Sequence, residues 1–128
     1  MSFKAQLKVA GKVYNVLNVS YGLFQETDAT GRPSTITRGG KIDVVVEGTG
    51  GTDLFEWMTN SFERKDGSVV FFKRDSEATL KELKFTEAYL VKHKEKFDST
   101  GDNPLTEQFT ISARSISMGD GEYKNEWV

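Results

Sequence analysis

Ser76-Glu77-Ala78-Thr79-Leu80-Lys81-Glu82-Leu83-Lys84-Phe85-Thr86-Glu87-Ala88-Tyr89-Leu90-Val91-Lys92-His93-Lys94-Glu95-Lys96-Phe97 can be read two ways, and the choice decides the fold. Glu77, Leu80, Lys81, Glu82, Leu83 and Lys84 are good helix formers, so a helix is a serious competitor. Yet Leu83, Phe85, Tyr89, Val91 and Phe97 share one parity, as in a strand with one apolar face, with Glu87, His93 and Glu95 interrupting it. Asp98-Ser99-Thr100-Gly101-Asp102-Asn103-Pro104 then reads as a turn, and Phe109, Ile111, Ala113 and Ser115 alternate with polar residues. A long hairpin is the preferred reading. A straight strand over 79–97 would span roughly 60 Å at ~3.3 Å per residue, whereas ordinary strands have ~3–10 residues. The segment must therefore bend or bulge, as strands that wrap a barrel do.

Strand patterns continue toward the N-terminus. Phe3, Ala5, Leu7 and Val9 alternate with Lys4, Gln6 and Lys8; Gly11-Lys12 is a turn signal, and Val13–Val19 forms the second arm of a hairpin. Lys41–Glu47 is rich in β-branched residues suited to a pleated surface. After the break at Gly48-Thr49-Gly50-Gly51, Asp53 is a good N-cap with Glu56 three residues on, which predicts one short helix. Leu54, Phe55, Met58 and Phe62 fall on its core-facing side. Lys65-Asp66-Gly67-Ser68 reads as a turn before a strand at Val69–Phe72, and Gly119-Asp120-Gly121 leads into a last strand at Tyr123–Trp127. Seven or so strands and one helix make an antiparallel barrel or sandwich, as a single domain over 1–128.

Between the second and third strands lies a polar excursion, Tyr21-Gly22-Leu23-Phe24-Gln25-Glu26-Thr27-Asp28-Ala29-Thr30-Gly31-Arg32-Pro33-Ser34-Thr35-Ile36-Thr37-Arg38-Gly39-Gly40. Connections of more than ~12 residues are uncommon in compact domains and usually functional or disordered. The excursion holds no catalytic set, which points to contact with another protein chain.

Composition excludes several function classes. Apolar residues make up 37% of the 128, and 15 aromatics, nine of them Phe, can fill a core. The 17 basic and 19 acidic residues give a net charge of −2, with no electrostatic footprint for nucleic acid or an anionic membrane. No run is long and apolar enough for a membrane span, and the first residues lack the pattern of a signal peptide, so synthesis in the cytoplasm is expected. There is no cysteine and a single histidine, His93, so a His/Cys zinc site cannot be built within one chain. His93 reads as a solvated strand residue, and Lys92, His93, Lys94 and Lys96 as a solvated face. The Gly48/Gly50 and Gly40-Lys41 pairs miss the spacing of phosphate-binding loops. Asp98, Thr100 and Asp102 have calcium-loop spacing, but Asn103 and Phe109 stand where Gly and Glu are needed. The expectation is no enzyme, no metal and no cofactor.

Ser20-Tyr21-Gly22-Leu23-Phe24-Gln25, Gly31-Arg32-Pro33-Ser34 and Thr35-Ile36-Thr37-Arg38 resemble the early strand-and-loop region of Hcp-type proteins, the tube subunits of bacterial type VI secretion systems. Phe97-Asp98-Ser99-Thr100-Gly101 and Phe109-Thr110-Ile111-Ser112-Ala113 resemble the Bacteroidetes branch of that family. The chain departs from the family pattern in having Tyr21 where Trp is frequent. The resemblance implies an antiparallel β-barrel, like that of phage tail tubes, with an extended loop at about 22–40. It further implies homohexameric rings that stack into a hollow tube, a contractile sheath, a spike, effector cargo, and secretion without a cleaved signal peptide. Within the loop, Phe24, Glu26, Thr27, Asp28, Arg32, Pro33, Thr35, Ile36 and Arg38 are the expected ring-stacking residues. Ordering so long a loop costs ~1–2 kcal/mol per residue of backbone, so it is expected to be mobile in free rings. Two alternatives remain open at this stage: a small-ligand-binding barrel with the loop as lid, and a tail-tube protein of another contractile injection particle.

Overall fold

A computed structural model describes residues 4–73 and 78–125. Phe3, Ser76, Glu77, Glu126 and Trp127, which carry the ends of three sequence-predicted segments, lie outside the described residues. The elements run β1 (Lys4–Val9), β2 (Lys12–Tyr21), β3 (Lys41–Glu47), α1 (Asp53–Thr59), β4 (Lys65–Phe72), β5 (Thr79–Phe97), β6 (Leu105–Ser112), β7 (Ser115–Met118) and β8 (Gly121–Lys124). The strands lie in the order β4-β1-β2-β3-β6-β5, and β5 also pairs with β4, which closes a six-stranded antiparallel barrel. Closure removes the free edges of these six strands, and β7 and β8 extend from β5 as a short side hairpin.

The strand reading of 79–97 holds, and its length explains the closure. The first half of β5, Thr79–Ala88, pairs with β4, while Tyr89–Phe97 pairs with β6. One continuous strand thus crosses from one sheet to the other, and it bends in two places. At Glu87 the backbone enters the left-handed region (φ 47°), opposite a register shift between Lys65 and Gly67. A second shift lies between Leu90 and Lys92.

Each bulge moves the inward-facing set by one residue. Leu83 and Phe85 are buried before the first; Ala88 and Leu90 are buried after it. Past the second, His93 turns inward. Tyr89 and Val91, expected on the apolar face, are displaced from it: Tyr89 lies under the Arg64 guanidinium at 5.9 Å, and Val91 is half exposed. Phe97, also expected inside, is 71% exposed. A strict period-2 count fails here because the extra residues at the bends break the period.

The partner of β5 is interrupted once. Residues expected as one strand through Ser115 divide at Ala113-Arg114 into β6 and β7, yet the register on β5 is the same on both sides. The Ala113 amide instead donates to the Gly40 carbonyl (2.8 Å) and the Arg114 amide to that of Thr86 (3.1 Å). Around the first bend, the Glu87 amide donates to Asp66 Oδ1 (2.7 Å). The Glu87 carboxylate accepts from Arg64 at 3.2 Å and Arg114 at 3.3 Å. These pairs are a third to a half exposed, so each is worth ~1 kcal/mol or less.

Two other local expectations are corrected. Thr52 rather than Asp53 stands at the N-cap position, and its side chain does not bond a free amide of the first turn; its Oγ1 donates instead to Glu56 Oε2 at 2.5 Å. Its inward residues are Leu54 and Trp57, whereas Phe55 and Phe62 are 57% and 84% exposed. The helix is a single short plug whose Trp57 indole donates to the Glu63 carbonyl (2.9 Å), which folds the chain back immediately and leaves Phe62 outside. Likewise Lys65–Ser68 belongs to β4 and is not a turn. Glycine is needed at 67 because a Cβ there would collide with the Lys8 carbonyl and the Phe85 ring, so the residue marks a close strand approach.

The barrel interior is filled by side chains. Leu7, Ile42, Val44, Val46, Val69, Phe85, Phe109 and Ile111 are at most 1% exposed, and Trp57 seals one end. Burial of a large aliphatic or aromatic side chain contributes ~1.5–3 kcal/mol, so this set supplies most of the driving force.

Candidate assembly surfaces

The excursion after β2 is an irregular hairpin arm. Its root is the pair Phe24 and Arg38, which exchange both backbone hydrogen bonds, Phe24 amide to Arg38 carbonyl at 2.9 Å and the reverse at 2.7 Å. Farther out, the Ser34 amide donates to the Glu26 carbonyl (2.7 Å), Glu26 donates its own amide to Thr35 Oγ1 (3.0 Å), and Thr27 bridges Pro33. The tip is a tight turn in which the Asp28 amide donates to the Arg32 carbonyl (2.9 Å). Below the root, Gly40 takes φ +97° and lies against Asn125 and the Ala113 carbonyl, where a side chain would clash. Gly40 is what lets the arm leave the barrel so abruptly.

Nine arm residues were expected at a stacking contact, and they divide by where their groups are used. Asp28 turns inward, since its Oδ1 accepts from the Thr30 amide (2.9 Å), Thr30 Oγ1 (2.7 Å) and the Arg32 amide (3.2 Å). The Thr35 hydroxyl is bound to the Glu26 amide, and Thr27 and Pro33 pair with each other. Phe24 is 57% and Ile36 76% exposed, and Glu26, Arg32 and Arg38 also stand in solvent. The structure thus separates residues that build the arm from those that present it. Backbone bonds within the arm hold its root at Phe24 and Arg38, its middle at Glu26 and Ser34, and its tip at Asp28 and Arg32.

The tip chemistry occurs twice. Asp28-Ala29-Thr30-Gly31 on the arm has its counterpart in Asp98-Ser99-Thr100-Gly101 between β5 and β6, where Asp98 Oδ1 accepts from the Thr100 amide (3.0 Å) and hydroxyl (2.7 Å). The spacing that resembled a calcium loop is therefore a turn device. The Thr side-chain bond, then the Thr amide, holds each carboxyl below its ordinary value of 3.8. Because the folded value is the lower one, this stabilisation is present above the ordinary range and is lost as pH falls through the depressed values. Asp28→Ala with Asp98→Ala is expected to flatten the fall of the thermal midpoint below about pH 4, read by circular dichroism.

His93 is placed differently from expectation. It is not solvated: its side chain is 6% exposed and its Nε2 lies 3.2 Å from Oε1 of Glu107, itself 4% exposed. The Phe55 ring meets it edge-on at 6.2 Å. The second β5 bulge turns His93 inward while Lys92, Lys94 and Lys96 remain exposed. Nearby, burial, then the charges of Asp53 and Glu107, push the Tyr14 hydroxyl above its ordinary value. No group of three or more His, Asp or Glu side chains suited to a metal is found among the described residues.

At the foot of the arm, an open apolar groove of about 490 Å³ runs between Tyr21, Leu23, Leu83, Ile116, Met118 and Tyr123. Tyr21 packs against Phe71 at 6.5 Å and its hydroxyl points to the Met118 sulfur at 3.8 Å. The small β7–β8 hairpin, held to β5 by Ser115–Ser117, forms the opposite wall. Among the described residues, no helix is long and apolar enough to cross a membrane.

The chain matches the family model described as hemolysin coregulated protein Hcp (TssD) over residues 1–128. The structure of Hcp1 from Flavobacterium johnsoniae, a Bacteroidetes bacterium, is 72% identical. It superposes with a TM-score of 0.91, covering 95% of this chain and 99% of that one. Hcp1 from Salmonella typhimurium, at 14% identity, shares the fold with a TM-score of 0.78 over 97% of this chain and 95% of that one. A chain of the sheath-tube complex of an extracellular contractile injection system, PVC, is similar at 19% identity and a TM-score of 0.56, over 91% and 88%. None of the curated proteins matches the chain.

Proposed function

The chain belongs to the hemolysin-coregulated-protein (Hcp, TssD) family, and on that premise we propose that it closes into homohexameric rings that stack as the inner tube of a type VI secretion system. In this reading residues 1–128 act as one tube-protein domain. The tube assembles in the cytoplasm, is driven out by a contractile sheath beneath a spike, and carries effectors without a cleaved signal peptide. The protein has no catalytic task, and it takes no cofactor or metal.

The observation that carries the reading is the match to Flavobacterium Hcp1, 72% identical over 95% of this chain. The chain's own geometry supports it. Closed rings need a head-to-tail lateral contact and stacked rings need a second contact along the axis. The arm supplies the second, through Phe24, Glu26, Arg32, Ile36 and Arg38, while Thr27, Asp28, Pro33 and Thr35 hold its shape. Light scattering is expected to give six times the 14.4 kDa subunit mass, and electron microscopy six-fold rings. A persistent monomer at high concentration would sink the proposal. Similarity to the PVC tube chain extends to fold alone, so another contractile particle is a weaker reading than type VI secretion. A small-ligand barrel is weaker still, because the interior is filled by side chains.

A further inference from the structure

Closing the barrel leaves one small strand outside it. Among the described strands β8 pairs with β7 alone, so its other edge has no strand beside it. Parity shows which groups are left over. The Asn125 amide donates to the Arg114 carbonyl (2.6 Å), so by the register of the pair Asn125, Tyr123 and Gly121 turn their backbone groups toward β7. Bonded and unbonded residues alternate along an antiparallel pair, and the amides and carbonyls of Glu122 and Lys124 therefore point away from β7. Both residues are exposed, and neither side chain has a hydrogen bond or ion pair among the described residues.

This edge borders the apolar groove. Glu122 and Tyr123 line one side of its roughly 490 Å³, over Leu83, Ile116 and Met118 and across from Leu23. An unpaired edge beside an apolar groove suits an added strand, since main-chain bonds hold such a strand and its alternate side chains fill the groove. We propose that β8 receives an extended segment of a partner protein, laid antiparallel along its free edge. Tyr123 lines the groove with Ile116 opposite it, so the Glu122 and Lys124 side chains share the other face. The matching segment places apolar β-branched residues at alternate positions toward the groove. Between them it carries first a carboxylate, opposite Lys124, and then a Lys or Arg, opposite Glu122. The shortness of β8 and its two charges discourage indiscriminate pairing and leave this selective one open. The site lies within one chain, so it stands independently of rings and tubes.

The probe is the peptide Thr-Val-Glu-Val-Lys-Val-Thr, labelled with fluorescein and titrated with the full chain. Saturable binding is expected, with slowed hydrogen exchange at the Glu122 and Lys124 amides. Methylating the backbone amides of the peptide's Glu and Lys, which would face β8, should weaken binding about tenfold or more. Methylating those of its Val residues, which would face away, should leave it unchanged. Glu122→Pro removes an edge amide that makes no bond to β7 and should weaken binding as much, with the thermal midpoint and particle mass unaltered. Leu23→Asp, at a half-exposed groove wall, should do the same. No saturable binding up to the solubility limit of the peptide would overturn the proposal, as would equal binding of the two methylated peptides. A folded Glu122→Pro protein that loses its rings would also overturn it, because a second copy of the chain would then occupy the edge. Peptide binding by a protein that stays monomeric would sustain this inference while refuting the ring reading.

Discussion

Replacing residues 25–37 with Asn-Gly should leave a folded barrel that still closes into rings and should abolish tubes. The cut falls just beyond Phe24 and Arg38, which exchange both backbone hydrogen bonds, and such a pair is the one a two-residue turn closes. No residue removed belongs to the buried core. The fold therefore loses only the bonds the arm makes to itself, and the shorter connection lowers the entropy cost of closing the loop slightly. The thermal midpoint should move by a few degrees at most, corresponding to ~1 kcal/mol or less. Light scattering should still report the ring. Electron microscopy should show isolated rings, and the protein should no longer reach the culture medium. Tubes of normal length would remove the arm from the axial contact.

The second large effect is expected at the buried His93–Glu107 pair. His93→Leu leaves the Glu107 carboxylate in the core without its partner, and Glu107→Leu does the same to the imidazole. Breaking a buried polar pair from one side costs roughly 3–5 kcal/mol, against a total stability of ~5–15 kcal/mol for domains in general. Replacing both by leucine removes the unpaired group and should return most of that loss. Urea denaturation of the four proteins gives the coupling directly. If the two single losses simply add, the pair is not coupled and the buried contact is incidental.

The loss should not spread to the arm, because the pair lies beside Val44 and Val46 of β3 and against Phe55 of α1, away from the arm's root. His93→Leu is thus expected to lower stability while leaving rings and tubes intact at low temperature. The two experiments separate what holds the subunit together from what joins subunits.

Much of the fold was legible along the chain. Alternation marked β1 because it runs across the barrel with one face buried; the turn at Gly11-Lys12 marked β2, β-branched residues marked β3, and the Gly-rich break before α1 marked a real boundary. Alternation within β5 argued correctly for a strand over a helix. The bulges were not legible, since an extra residue at Glu87 and another at Leu90–Lys92 look in sequence like polar interruptions of a single face. That is why Tyr89 and Val91 were assigned inward and His93 outward, when the reverse holds. A signal was available in the turns, where Asp28-Ala29-Thr30-Gly31 and Asp98-Ser99-Thr100-Gly101 repeat one short pattern. The repeat places a turn at the arm's tip, as the sequence already does at 98–104.

The arm shows the same division. Its length and its lack of catalytic groups, read from sequence alone, pointed to a protein partner, and its motifs pointed to the family. Local chemistry determines these features, because turn residues, strand periods and polar runs act over a few positions. Tertiary structure alone decided that the arm is a hydrogen-bonded hairpin, which of its nine expected residues face outward, and that Phe55, Phe62 and Phe97 stand exposed. Those outcomes depend on where β5 bends to close the barrel and on which groups its neighbours leave uncovered. Such facts arise from contacts between residues far apart in the chain.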